Sequence, residues 1–107
     1  MTQMQIRIGV NALQALGRTV HDVACTLESL GIRGERRDPL GCPIALYMHA
    51  HGFLRAAVVA NAVHLDVKDH DPETIIELPT PCNDLLYFFD EGKLPQLELE
   101  KEEVSDG

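Results

Sequence analysis

The sequence predicts a small α+β domain: an antiparallel sheet of two or three strands packed with about four helices, in the order ααα-ββ(β)-α. Three observations predict it. Up to residue 50 the apolar residues recur at helical spacing, as in Val20, Val23, Ala24, Leu27 and Leu30. From Phe53 to Leu78 the pattern turns to Val-rich stretches and alternation, the period of a half-buried strand. From Thr80 onward a cap-then-proline start and an apolar run bring back a helix. Helices laid on one face of a small antiparallel sheet satisfy that order. A chain of 107 residues, 45% apolar, supports one domain with one modest core.

Ile6, Val10, Leu13 and Leu16 share a helical face, which predicts a helix over 10–16. Ile6, Ile8 and Val10 also alternate, so residues 4–16 read as either helix or strand at their start. After Gly17, Thr19 is placed to cap a second helix over about 20–30, with Asp22 in its first turn and Gly31 to end it. Cys25 falls within this helix and reads as an inert core residue. Residues 31–41 form a loop, broken by Gly31, Gly34, Pro39 and Gly41 and solvated by arginines. Pro43 suits the first position of a third, short helix over about 43–50, and Gly52 suits its stop.

The segment from Phe53 to Ala60 and the alternating Val63, Leu65 and Val67 predict a β-hairpin through Asn61. Thr74 to Leu78 is a candidate third strand. Thr80 is the expected cap of the last helix, Leu85, Leu86, Phe88 and Phe89 its apolar face, and Gly92 its end. The expected organisation is one domain over 1–95 and an acidic, disordered tail over 96–107.

The chain carries 9 Lys and Arg against 17 Asp and Glu, a formal charge of −8. The imbalance is not uniform. Residues 1–55 hold six basic and four acidic residues, and the negative excess lies wholly beyond them. Direct nucleic-acid binding is not expected, because it needs clustered positive charge with interleaved aromatics. No apolar run approaches the roughly 18–20 residues that span a bilayer, and Met1 to Gly9 lacks the apolar stretch of a secretory signal. Three widely spaced cysteines do not make a disulfide framework. A cytoplasmic protein without membrane contact is the expectation.

Two blocks resemble a recurring pattern in a group of small uncharacterised bacterial proteins. One is Gly31-Ile32-Arg33-Gly34-Glu35-Arg36-Arg37-Asp38-Pro39 followed by Cys42-Pro43-Ile44-Ala45-Leu46-Tyr47. The other is Phe88-Phe89-Asp90-Glu91-Gly92 at the end of an aromatic-rich helix. The resemblance spans about residues 19–97. It implies a compact bacterial cytoplasmic domain and assigns no catalytic residue.

Cys42 is the candidate for reactive-thiol chemistry. A thiol at a helix start feels the positive end of the dipole, and nearby Arg33, Arg36 or Arg37 also favour the thiolate. The alternative is a small, partly buried capping residue before Pro43. Arg33, Arg36 and Arg37 are candidates for binding an anion or a partner's carboxylates, or for pairing within the chain. His49, His51, His64 and Cys82, with His70, Asp66, Asp69 and Cys42, are candidate metal ligands by residue type, although their spacing is not diagnostic. Leu86, Tyr87, Phe88 and Phe89 are candidate interface residues, because Leu85 to Phe89 cover more than one helix face.

None of the common catalytic or nucleotide-binding motifs occurs, and no cofactor is expected. The function expected is therefore a non-enzymatic protein-binding or regulatory module, self-associating as a homodimer or bound to another protein. Three alternatives accompany it: a Cys42-based redox or catalytic protein, a small metal-binding protein, and an acidic DNA mimic that inhibits a basic protein.

Overall fold

The structure, a computed structural model, describes residues 3–59, 61–65 and 74–99. It holds four helices and one three-stranded antiparallel sheet in the predicted order: α1 (Gln3–Gln14), α2 (Val20–Ser29), α3 (Pro43–Ala50), β1 (Ala57–Val59), β2 (Ala62–Leu65), β3 (Thr74–Glu77) and α4 (Thr80–Asp90). The expected α+β class is correct. No helix among the described residues is long and apolar enough to cross a membrane.

Residues 4–14 are helical, and α1 begins well before residue 10. Gly9, Ala12 and Leu13 make its buried stripe, continued by buried Leu16 in the turn after it, and this helical spacing overrides the local alternation of Ile6 and Ile8. Gly9 lets β3 approach: a methyl there would lie 3.1 Å from Ile76 Cδ1. Helix α2 starts as expected, with Thr19 Oγ1 accepting from the Asp22 N–H at 3.0 Å. It ends in a Schellman turn. The N–H of Ile32 donates to Leu27 O, the N–H of Gly31 donates to Glu28 O, and Gly31 takes a φ of 75°. Gly52 and Gly92 end α3 and α4 by the same pair of bonds. Helix α3 is buried nearly all round, through Pro43, Ile44, Ala45, Tyr47 and Met48.

In the sheet, β2 lies between β1 and β3, with Val63 opposite both Val58 and Ile76. Val63, Leu65 and Ile76 face the core. Val67, the third member of the predicted alternation, lies outside the described residues. The outer edge of β1 is closed at Val58, whose N–H donates to Pro39 O at 2.9 Å. On the other side the Leu78 N–H donates to Asn61 O. That fixes the phase of the ladder, so the N–H and C=O groups of Ile75 and Glu77 point away from β2.

Two expectations need correction. Thr80 does not cap α4. It is the first helical residue, Pro79 holds the cap position, and no side chain caps this end. The boundary at 95 also fails, because residues 96–99 belong to the fold. Pro95–Leu97 is a 3-10 turn that packs on α2, and Leu97 is completely buried. Glu98 then pairs in parallel with Gly34. Leu97 is the residue that anchors this segment, a single apolar side chain that the density of charge around it conceals. Residues 100–107 of the expected tail lie outside the described residues.

Candidate functional site

The loop over 31–41 is tied down along its length. The Gly34 N–H donates to Leu97 O at 2.8 Å, and the Leu99 N–H donates to Gly34 O at 2.9 Å. The Glu35 N–H reaches Gly41 O at 2.8 Å and closes the loop on itself. Inside it, Asp38 accepts the Leu40 N–H on Oδ1, an Asx turn written in the Asp-Pro-Leu-Gly sequence. Arg37 sits at φ 59°, rare for a residue with a side chain, and its N–H donates to Asp90 Oδ1 at 2.9 Å. Asp90 thus fixes the loop to the end of α4.

These contacts divide the three arginines. Arg36 stands over Gly92, where a methyl would lie 2.8 Å from its Nη1, and its Nε is 3.7 Å from Glu98 Oε1. A cation is well placed there, because the α4 C-terminus carries partial negative charge. All three side chains are exposed, and what sets Arg36 apart is its place against Gly92 and Glu98. The cluster is therefore partly an internal tie between the basic loop and the acidic second half.

Between this loop, β1 and α4 lies a cleft of about 290 Å³. Pro39, Val58, Val59 and Leu86 give it apolar walls, and Arg37, Asp38 and Asp90 give it charge. Cys42 also lines it. Three residues singled out in the sequence for different reasons, Cys42, Arg37 and Leu86, thus meet at one place. A second cleft of about 230 Å³ is lined by Arg36, Arg37, Glu98 and Leu99 among others, and shares Arg37 with the first.

The cleft does not activate its thiol. Cys42 caps α3, its Sγ accepting the Ala45 N–H at 3.4 Å, and it is only 5% exposed. Burial pushes its ionisation up to about 11, and the charges of Asp90 and Asp38 act in the same direction against the Ala45 and Ile44 N–H groups. At neutral pH about one molecule in ten thousand carries the thiolate. Desolvation outweighs the helix end that motivated Cys42 as a nucleophile. Cys82 is completely buried, its thiol directed at Leu13 O at 3.9 Å, and burial pushes it up to about 12. All three cysteines are free.

Cys25 departs from its expected place in the core. It is exposed, and its Sγ lies 3.5 Å from His21 Nε2, one helical turn earlier. Its position follows from the stripe: Val23, Ala24 and Leu27 turn inward, which leaves residues 21, 25 and 28 outside.

The other described histidines do not converge with the thiols. His49 Nε2 donates to Ala56 O at 2.9 Å, and His51 Nδ1 donates to Tyr47 O at 3.0 Å with its ring against Tyr47. His64 occupies the sheet face opposite Val63 and Leu65. Among the described residues no three His, Cys, Asp or Glu side chains group as a metal set. Asp66, Asp69 and His70 lie outside the described residues.

The expected interface residues divide into two pairs. Leu86 and Phe89 are buried in the core, whereas Tyr87 and Phe88 are 61% and 36% exposed. The two outward rings meet edge to face, 5.7 Å between centroids, and the Lys93 ammonium lies 6.0 Å from the Phe88 ring centre. Asp90 and Pro39 were not legible as site residues. Their partners, Arg37 and Val58, are distant in sequence, and no local pattern encodes such pairing. The cleft thus joins apolar walls to charged groups around a thiol that burial keeps protonated. No protein-family model, curated protein or solved structure matches the chain.

Proposed function

We propose that this protein is a non-enzymatic protein-binding module that self-associates, acting in the bacterial cytoplasm as its resemblance to small bacterial proteins implies. The observation that carries the reading is the exposed Tyr87 and Phe88 pair on α4. The chain has only five aromatic residues, and it places two of them side by side in solvent. Large exposed aromatics are enriched at binding hot spots, where they bury much area for little lost side-chain freedom. The outer edge of β3 adds support: among the described residues no backbone group pairs with the outward N–H and C=O groups of Ile75 and Glu77, and Ile75 is exposed. An edge of this kind accepts a strand from a second chain.

Sedimentation of the native protein over a wide concentration range tests the self-association. The expected mass rises from 11.8 kDa toward a multiple of it, and replacing Tyr87 and Phe88 by Ser holds the protein at the monomer mass. Tyr87 is 61% exposed and Phe88 36%, and circular dichroism checks that the double variant keeps its helices. A native protein that stays monomeric at the highest concentration refutes self-association. Capture from the bacterial host, compared between native protein and double variant, tests the broader reading, which fails if the two return the same proteins.

A further inference from the structure

We propose that His21 and Cys25 form a two-ligand chelate for a thiophilic divalent cation of the zinc class, on the outer face of α2. The two residues are spaced i and i+4, which places them one above the other on a helix. Both are exposed. Imidazole nitrogen and thiol sulfur are the donors such a cation prefers.

The geometry carries the argument. His21 Nε2 and Cys25 Sγ are 3.5 Å apart. A tetrahedral zinc with a bond of about 2.3 Å to sulfur and about 2.0 Å to nitrogen holds two such donors about 3.5 Å from each other. The pair therefore stands at the ligand-to-ligand span of a tetrahedral cation before any cation arrives. The opposite face of α2, through Val23, Ala24 and Leu27, is anchored in the core, and Thr19 caps its start. The backbone carrying the donors is thus rigid, which lowers the cost of ordering them. Glu28, three residues after Cys25 and exposed, adds negative charge on that face of the helix.

On binding, the cation takes a lone pair from neutral His21 Nε2 and one from Cys25 sulfur, and the thiol proton passes to solvent. Water fills the remaining positions. Nothing is oxidised or reduced. This site is separate from the Cys42 cleft and from the exposed aromatics of α4.

Cobalt(II) titration of the full chain, followed by zinc displacement, tests it. The expected result is one cobalt per chain, a sulfur-to-metal absorption band in the near ultraviolet, and loss of that band when zinc is added. Cys25→Ser abolishes the band. His21→Ala weakens binding by at least the roughly tenfold that loss of a merely supporting residue costs. Cys25→His keeps the binding and removes the band, since two histidines at i and i+4 also chelate. His51→Ala leaves binding and band unchanged. Circular dichroism confirms that each variant retains its helices. The proposal is overturned if the native chain gives no band, if the band survives Cys25→Ser, if His21→Ala binds as tightly as the native chain, or if His51→Ala removes the band.

Discussion

The starts of α3 and α4 are built from the same two residue types. Cys42 precedes Pro43 in one, and Cys82 follows Pro81 in the other. That inversion gives the two thiols different roles. In α3 the cysteine holds the cap position and its sulfur accepts the Ala45 N–H. In α4 it lies inside the first turn, against the end of α1, and no side chain caps the helix. One start is held by a local cap and a loop folded over it, the other by burial alone. Both thiols are nonetheless driven the same way, up to about 11 and about 12, with desolvation as the largest cause. A helix end favours a thiolate only where water or a cation helps to solvate it, and here neither start supplies that.

The largest test of this comparison is alkaline pH. Above the ordinary thiol value of 9.0 an unfolded chain loses its thiol protons, while the folded chain keeps those of Cys42 and Cys82. The folded state then binds more protons, so stability falls as pH rises, by about 1.4 kcal/mol per pH unit for each thiol. Between about pH 9 and 11 the expected loss for the two thiols together is on the order of 4 kcal/mol. Tyr47, also raised by burial, acts in the same direction. Urea midpoints at several pH values check this against a Cys42→Ala, Cys82→Ala double variant, whose decline should be shallower. Equal declines would show that the thiols are not the cause.

Gly34→Ala should break the α3 start and spare that of α4. A methyl at Gly34 would collide with Gly41 O, and it would lie 2.9 Å from Pro43 N and 3.0 Å from the Cys42 carbonyl carbon. Because these atoms are backbone they cannot swing aside, and the expected cost is about 3 kcal/mol by denaturant unfolding. A loss of a few tenths would mean that the loop does not hold this helix end.

The smallest effects separate a true cap from a false one. Thr19→Ala removes the hydroxyl that accepts the Asp22 N–H and should cost about 1 kcal/mol. Thr80→Ala removes no cap bond and should change stability by less than about 0.5 kcal/mol. Equal losses in the two variants would contradict the assignment of Pro79 as the cap of α4.

The order of elements was legible because it rests on local patterns: the Thr19 cap, the α2 stripe, the glycine stops and the alternation of Val63 and Leu65. Errors arose where a local signal had two readings. Thr80-Pro81 looks like a cap and its following proline, yet Pro79 displaces it by one residue. Leu85 to Phe89 could not be divided into inward and outward members until α4 was set against its neighbours, which bury Leu86 and Phe89 and leave Tyr87 and Phe88 out. The cleft was legible in its parts and not in its assembly. Cys42, Arg37 and Leu86 each drew attention, but Asp90 holding the Arg37 N–H, and Pro39 closing the edge of β1, depend on chain segments brought together only by folding.

The pairing of Gly34 with Glu98 has a consequence for how the protein is made. Leu97 covers part of α2, and the backbone of Gly34 bonds on both sides to Leu97 and Leu99. During synthesis α2 and the loop after it emerge long before the segment that completes them. At roughly 5–20 residues per second, that part of the core stays uncovered for several seconds. Folding order is therefore written into the topology: the helices and the hairpin can form early, but the native state must wait for residues 94–99 to dock.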